Sequence, residues 1–184
     1  MKKLFMLLLC LTTSLVCYSQ QYSVQYKWQS DGSILNSAGS SYDIFEFEGK
    51  MRDSIFDEVL TSVSSIFIGP INNVTTHNHE LIQIDAVVPH IEYDVIVVDF
   101  HYTIKIFIKD EKIKIDTPYL TALTFNGKTN STNVIGWTKV QKFFNSDGTP
   151  STKKKKLSVY NDLNKALSSS VNKILSNLYS TDNW

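Results

Sequence analysis

In the stretch VIVVDFHYTIKIFIKDEKIKID, from Val95 to Asp116, the run Val95 to Ile108 alternates through its second half. Phe100, Tyr102, Ile104, Ile106 and Ile108 fall on one side of an extended chain, with His101, Thr103 and Lys105 on the other. Successive side chains on a strand point to opposite faces, so a period of two marks a strand with one face buried and one wet. Lys109 to Lys112 makes a tight reversal, after which Ile113 and Ile115 resume the alternation. Two strands joined by so short a turn pair antiparallel.

The same reading extends in both directions. Upstream, Val74 to His77 and Leu81 to Val88 flank the turn-like Asn78-His79, and Pro89, which has no N–H to give a ladder, is expected to close the second strand. Further upstream, Tyr22, Val24, Tyr26 and Trp28 alternate with polar residues and predict a half-buried strand. Ser30 to Ser41, with Asp31-Gly32 and Gly39, predicts a loop, and Tyr42 to Glu48 another strand, Phe45 and Phe47 opposite Glu46 and Glu48. After Gly49, Asp53 is the expected N-cap of a helix whose apolar face is Ile55, Phe56, Val59, Leu60, Val63, Ile66 and Phe67. Gly69-Pro70 ends it.

Downstream, Pro118 to Ser131 reads as a loop-rich passage, Val134 to Trp137 as a short strand, and Asn145 to Lys156 as turns. A second helix follows, on the stripe Tyr160, Leu163, Leu167, Val171, Ile174 and Leu178. These elements predict a two-layer α+β domain, an antiparallel β-sheet meander with two amphipathic helices packed on one face. The polar sides of the strands predict that the other face of the sheet is open, which makes it the expected place for a ligand or partner.

The N-terminus predicts export. Lys2 and Lys3 precede an unbroken apolar run of eight residues, Leu4 to Leu11, and then a small-residue and polar stretch, Thr12 to Gln20. That order is a secretory signal, and the run is far short of the ~20 residues that span a bilayer. Cleavage after Ser19 is expected, giving a signal over residues 1–19 and a single domain over residues 20–184 with no transmembrane segment. Lipidation at Cys17 fits poorly, because Val16 stands where a small residue should precede the cysteine. Both cysteines, Cys10 and Cys17, lie inside the signal, so the expected mature chain has no disulfide, thiolate nucleophile or cysteine-ligated metal. Of 18 basic residues two leave with the signal, so 16 face 18 acidic ones, and a net charge of −2 argues against nucleic acid as a partner.

Several of these features together resemble domain-of-unknown-function family 4468, exported Gram-negative bacterial proteins with a TATA-binding-protein-like fold. They are the Phe45–Gly49 strand end running into Asp53-Ser54-Ile55-Phe56, the Glu80 to Val88 strand, and the long strand entering Lys109-Asp110. The Phe144-Asn145-Ser146-Asp147-Gly148 turn and the Asp182-Asn183-Trp184 end complete the likeness, which spans about Tyr42 to Trp184. Where the family's hairpin would read Lys-Asp-Gly, this chain has Glu111. The resemblance implies a curved antiparallel sheet gripping helices (a helix-grip-like arrangement), and brings no activity, cofactor or catalytic residue.

Candidate chemistry is sparse. His77 and His79, at i and i+2 with Glu80 beside them, would share a face if the strand ran through them, and could then hold zinc or copper with His101 or Asp85 as third ligand. Weighed against that is a polar hairpin tip from Thr75 to Glu80. Glu46 with Glu48, and Asp94 with Asp99, are the carboxylate pairs a glycosidase would need, yet neighbours on one wet strand face read as solvated charges. No nucleophile elbow, P-loop or H-E-x-x-H helix is present. Lys153 to Lys156 is a basic run that reads as a solvated loop, with lipopolysaccharide or phosphate as its functional alternative. Trp28, Trp137 and Trp184 with Tyr22 and Tyr26 could form a sugar-stacking surface, though strand aromatics are more often core. Asn73 and Asn130 match the N-glycosylation pattern, in a bacterial host by chance.

The leading expectation is a periplasmic, outer-membrane-associated or secreted domain without catalytic residues or cofactor, which binds an unknown protein or glycan of the envelope. The competing one is a small hydrolase or metal-dependent enzyme using His77, His79 and a strand carboxylate.

Overall fold

In chain order the elements of the computed structural model are β1 (Tyr26–Trp28), β2 (Ile34–Asn36), β3 (Tyr42–Glu46), α1 (Arg52–Ile66), β4 (Asn73–His77), β5 (Leu81–Tyr93), β6 (Ile96–Lys109), β7 (Lys112–Asp116), β8 (Tyr119–Asn126), β9 (Asn133–Val134) and α2 (Lys154–Ser180). The structure describes residues 22–69, 71–93, 96–126, 133–134 and 141–180. The leader, Asp94, Asn130, Trp137, the Asp182 to Trp184 end and all of the expected Val134 to Trp137 strand beyond Val134 lie outside them.

The alternating stretch becomes β6, the axis of a seven-stranded antiparallel sheet. One edge of β6 pairs with β5 along almost its whole length. The other edge pairs first with β7 and then with β8. These two run in the same direction, Ile115 opposite Ile106 and Tyr119 opposite Thr103, so they act as one strand interrupted at Thr117-Pro118. β3 flanks β7, β4 flanks β5, and β9 flanks β8, all antiparallel. β1 and β2 form a separate two-stranded ribbon.

Parity then sorts the side chains. Phe45, Ile82, Ile84, Phe100, Ile104, Ile106, Ile113 and Ile115 are all buried on one face of the sheet. Against them lie Ile55, Phe56, Val59 and Val63 of α1 and Leu163, Leu167, Val171, Ile174 and Leu178 of α2. The Ser62 hydroxyl ties the two helices by donating to the Ile174 carbonyl at 3.1 Å. The two-layer α+β architecture expected from the sequence is the one found.

Five boundaries differ from expectation, each for a local reason. Helix α1 starts at Arg52, two residues after Lys50, so Asp53 sits inside the first turn. Its N-cap, Met51, makes no side-chain bond, and the Arg52 N–H is capped instead by Asp110 Oδ1 at 2.9 Å. Strand β5 does not stop at Pro89. A bulge between Val88 and Ile91 puts His90 at φ 61°, its N–H donates to Asp99 Oδ1 at 2.8 Å, and pairing resumes to Tyr93. The Pro118 to Ser131 passage contains β8, whose buried Leu120 and Leu123 are three apart because a bulge there opposes His101 and Tyr102, breaking the period of two. The Ser30 to Ser41 loop contains β2. Helix α2 begins at Lys154, so the basic run forms its first turn.

Candidate functional site

The face of the sheet turned away from the helices is uncovered among the described residues, and its make-up follows from strand parity. With Phe45 inward, Tyr42 and Ile44 of β3 point outward; with Ile113 and Ile115 inward, so do Lys114 and Asp116 of β7. Phe107, Lys105, Thr103 and His101 of β6 share that face, as do Leu81, Gln83 and Asp85 of β5 and Tyr119 of β8. Tyr42 is 45% exposed, Ile44 54% and Tyr119 44%.

Two lysines lie among these rings. Lys114 Nζ is 4.3 Å from the Phe107 centroid, 5.7 Å from that of Tyr42, and 2.8 Å from Asp116 Oδ1. Lys105 Nζ is 5.8 Å from the Tyr119 centroid and has no carboxylate partner among the described residues. Next to the rings runs a polar row. The Thr103 hydroxyl, itself buried, donates to Asp85 Oδ1, and Gln83 Nε2 donates to Asp85 Oδ2 at 3.2 Å. His101 Nε2 lies 3.1 Å from Thr124 Oγ1.

The two histidines of the metal hypothesis do not converge. His77 ends β4 opposite Leu81, on the outward face. Asn78 and His79 both take positive φ, 49° and 54°, so the chain turns between the imidazoles and never keeps them in one strand. His79 instead stacks on Phe56 of α1 at 4.4 Å, with Nδ1 3.5 Å from Asp53 Oδ1. Glu80 is engaged by Arg52 at 3.2 Å. Among the described residues no three His, Cys, Asp or Glu side chains come together as metal ligands.

Other sequence candidates also find structural places. Trp28 and Tyr26 are buried, Trp28 against Phe100, Phe143 and Phe144, and Tyr22 stacks on Tyr179 at 4.4 Å. Glu46 stands opposite Lys112 across the β3–β7 pair, and Asp99 caps the β5 bulge. The rings that do reach solvent, Tyr42 and Tyr119, were not among the residues singled out from sequence. For Tyr42 the signal was present, because Phe45 and Phe47 facing inward oblige Tyr42 and Ile44 to face outward. For Tyr119 it was hidden by the unrecognised strand.

A second arrangement had no sequence signal. The extended segment from Tyr22 to Trp28 lies along α2, whose side chains read its backbone at four-residue steps. Val24 N donates to Asn172 Oδ1 at 2.7 Å and Val24 O accepts from Asn172 Nδ2 at 3.0 Å. Tyr26 N donates to Ser168 Oγ at 2.9 Å and Trp28 N to Asn164 Oδ1 at 2.8 Å. Four helical residues rise about 6 Å and two strand residues about 6.6 Å, so the two repeats match.

No protein-family model matches the chain, and no curated protein does. The architecture is that of the TATA-binding-protein-like α+β domains, the fold the sequence resemblance implied. A TBP-like protein from Parabacteroides distasonis aligns with a TM-score of 0.54 at 13% identity, covering 74% of this chain and 90% of that one. A DUF4468 family protein from Bacteroides ovatus aligns with a TM-score of 0.51 at 9% identity, covering 80% of this chain and 87% of that one. At these identities the likeness is one of fold.

Proposed function

We propose that the chain is an exported domain of a Gram-negative cell envelope that works by binding, and that the uncovered sheet face receives its partner. The observation that carries this reading is the exposure of Tyr42, Ile44 and Tyr119 together on that face, at 45, 54 and 44%. Large apolar side chains gain about 25 cal/mol for each Å² taken out of water, so three on one sheet face form an adhesive surface. Export is supported by the charge, apolar run and small-residue order of residues 1–19. Binding rather than catalysis is supported by the polar groups of the face, whose hydrogen bonds are spent on one another, Thr103 and Gln83 on Asp85 and His101 with Thr124.

The test joins compartment and surface. Carrying a C-terminal tag in a Gram-negative host, the chain is expected outside the cytoplasm with Gln20 as its first residue, and retained by the envelope fraction. Ile44→Asp is expected to release it with the melting temperature unchanged, since exposed substitutions shift stability by only about 0.5 kcal/mol. Recovery in the cytosol with Met1 attached would overturn export. Unchanged retention of both Ile44→Asp and Tyr119→Asp would overturn the binding face.

A further inference from the structure

We infer that the open sheet face binds a carboxylate-bearing glycan: Tyr42 and Tyr119 stack its sugar rings, Lys105 meets its carboxylate, and Asp85 and Gln83 take its hydroxyls. The inference rests on the binding role proposed above and names the class of ligand.

The rings come first. A pyranose presents C–H bonds on its faces, and an aromatic ring presents a negative face to them. Tyr42 and Tyr119 are each close to half exposed, so each offers ring surface at no cost in unpacking. Tyr42 pairs with Asp116, and Tyr119 lies three residues further along the β7–β8 line. The break at Thr117-Pro118 takes up one of them, so Asp116 and Tyr119 stand opposite β6 positions two residues apart, about 6.6 Å along the sheet, and one strand step adds about 4.8 Å sideways. The rings are therefore spaced for successive sugars of an oligomer rather than for a single sugar.

Charge then selects among glycans. The lysine ammoniums stand 5.7 and 5.8 Å from the two tyrosine centroids, near the outer limit of cation–π contact. Lys105 meets no carboxylate among the described residues. A cation left unneutralised beside an exposed ring is matched by an anionic group carried on the sugar that stacks there.

The polar row separates a glycan from an acidic peptide. Tyr119, Thr103 and Asp85 are consecutive partners across β8, β6 and β5, which puts the Asp85 carboxylate about two strand spacings, or roughly 10 Å, from the ring. Thr103 donates to Asp85 Oδ1 and Gln83 Nε2 reaches both oxygens, at 3.2 and 3.5 Å, and a carboxylate has about four acceptor sites, so Asp85 is oriented with capacity to spare. Hydroxyl donors satisfy that capacity. A chain of glutamates would bring like charge to the same place.

The experiment uses the purified chain as recovered from the host. Oligogalacturonate, its neutral methyl ester and poly-glutamate are titrated by calorimetry, and columns of polygalacturonate, alginate and hyaluronan extend the panel. Oligogalacturonate or one of the other uronic-acid polymers is expected to bind, and the ester and poly-glutamate to bind about tenfold more weakly or not at all. Tyr119→Ala and Lys105→Gln are each expected to weaken binding about tenfold at unchanged melting temperature, while Lys105→Arg retains it. Equal binding of the ester or of poly-glutamate would overturn the inference, as would wild-type affinity in Tyr119→Ala. Retention by none of the uronic polymers, with Ile44→Asp still released from the envelope, would overturn the ligand class and leave the binding face standing. Loss of both would sink the two together.

Discussion

Asp110 sits 58 positions from the N–H it caps, on the turn between β6 and β7. The first N–H groups of a helix have no partner within it, and Asp110 supplies one to α1 from another element. Asp53, closer in sequence, instead lies in the first turn, near Arg52 and His79. Loss of a capping oxygen costs about 1 kcal/mol, whereas an exposed first-turn carboxylate contributes about 0.3–1 kcal/mol through the helix dipole. In urea titrations Asp110→Ala is therefore expected to destabilise more than Asp53→Ala, and the reverse order would reject this cap assignment. The sequence could not show it, since Asp53 has the right chemistry at the right spacing and Asp110 becomes a cap only once the sheet brings its turn to the helix. Glu111 is a related case. Its φ of 60° is a conformation that favours glycine, and it is held there by Gly49 N–H donating to its Oε1 at 3.0 Å and by Phe47 N–H donating to its carbonyl at 2.7 Å.

Elements were legible where period and packing agree. β6 and β7 could be read because each apolar step lands on the same buried face, and the apolar stripe of α2 because Leu163, Leu167, Val171, Ile174 and Leu178 are buried and Tyr160 packs against them half-buried. β8 could not, because its bulge changes the step from two to three, and β2 could not, because three residues among serines and glycines carry no period. The docking of Tyr22 to Trp28 on α2 was equally hidden, since Asn164, Ser168 and Asn172 look like the ordinary polar side of an amphipathic helix. These side chains stand in for a missing neighbouring strand. Asn172→Ala leaves the Val24 N–H and C=O without their partner, at about 1–3 kcal/mol if they stay buried. Amide exchange at Val24, Tyr26 and Trp28 is expected to accelerate ahead of exchange in β6. Uniform acceleration across both would mean that the segment is not a separately held unit.

At the scale of the molecule, the helix-covered side is an apolar core that also holds two tyrosine hydroxyls. Burial, followed by the charge of Asp43 and the bond to it at 3.1 Å, pushes Tyr26 far above the usual phenol range. Burial likewise raises Tyr102, against the opposing effect of its Ser170 contact. A raised folded pKa gives stability that is complete below the unfolded value of about 10 and is lost as pH climbs towards the folded one. Unfolding free energy is thus expected to fall above about pH 10, by up to about 1.4 kcal/mol per unit for each group, and Tyr102→Phe is expected to make the decline shallower. Parallel slopes in wild type and Tyr102→Phe would show that Tyr102 takes no part. The fold of this molecule was mostly readable and its site only partly. Which face is covered follows from alternation, but which rings meet which lysines follows from register between strands far apart in sequence.

The bonds between Val24, Tyr26, Trp28 and α2 also impose an order in time. The partners are 136 to 148 residues apart, so a chain made from its N-terminus has these backbone groups well over a hundred residues before the side chains that satisfy them. The clasp on the molecule therefore closes only once α2 has been made, and until then the nascent polypeptide keeps this segment undocked.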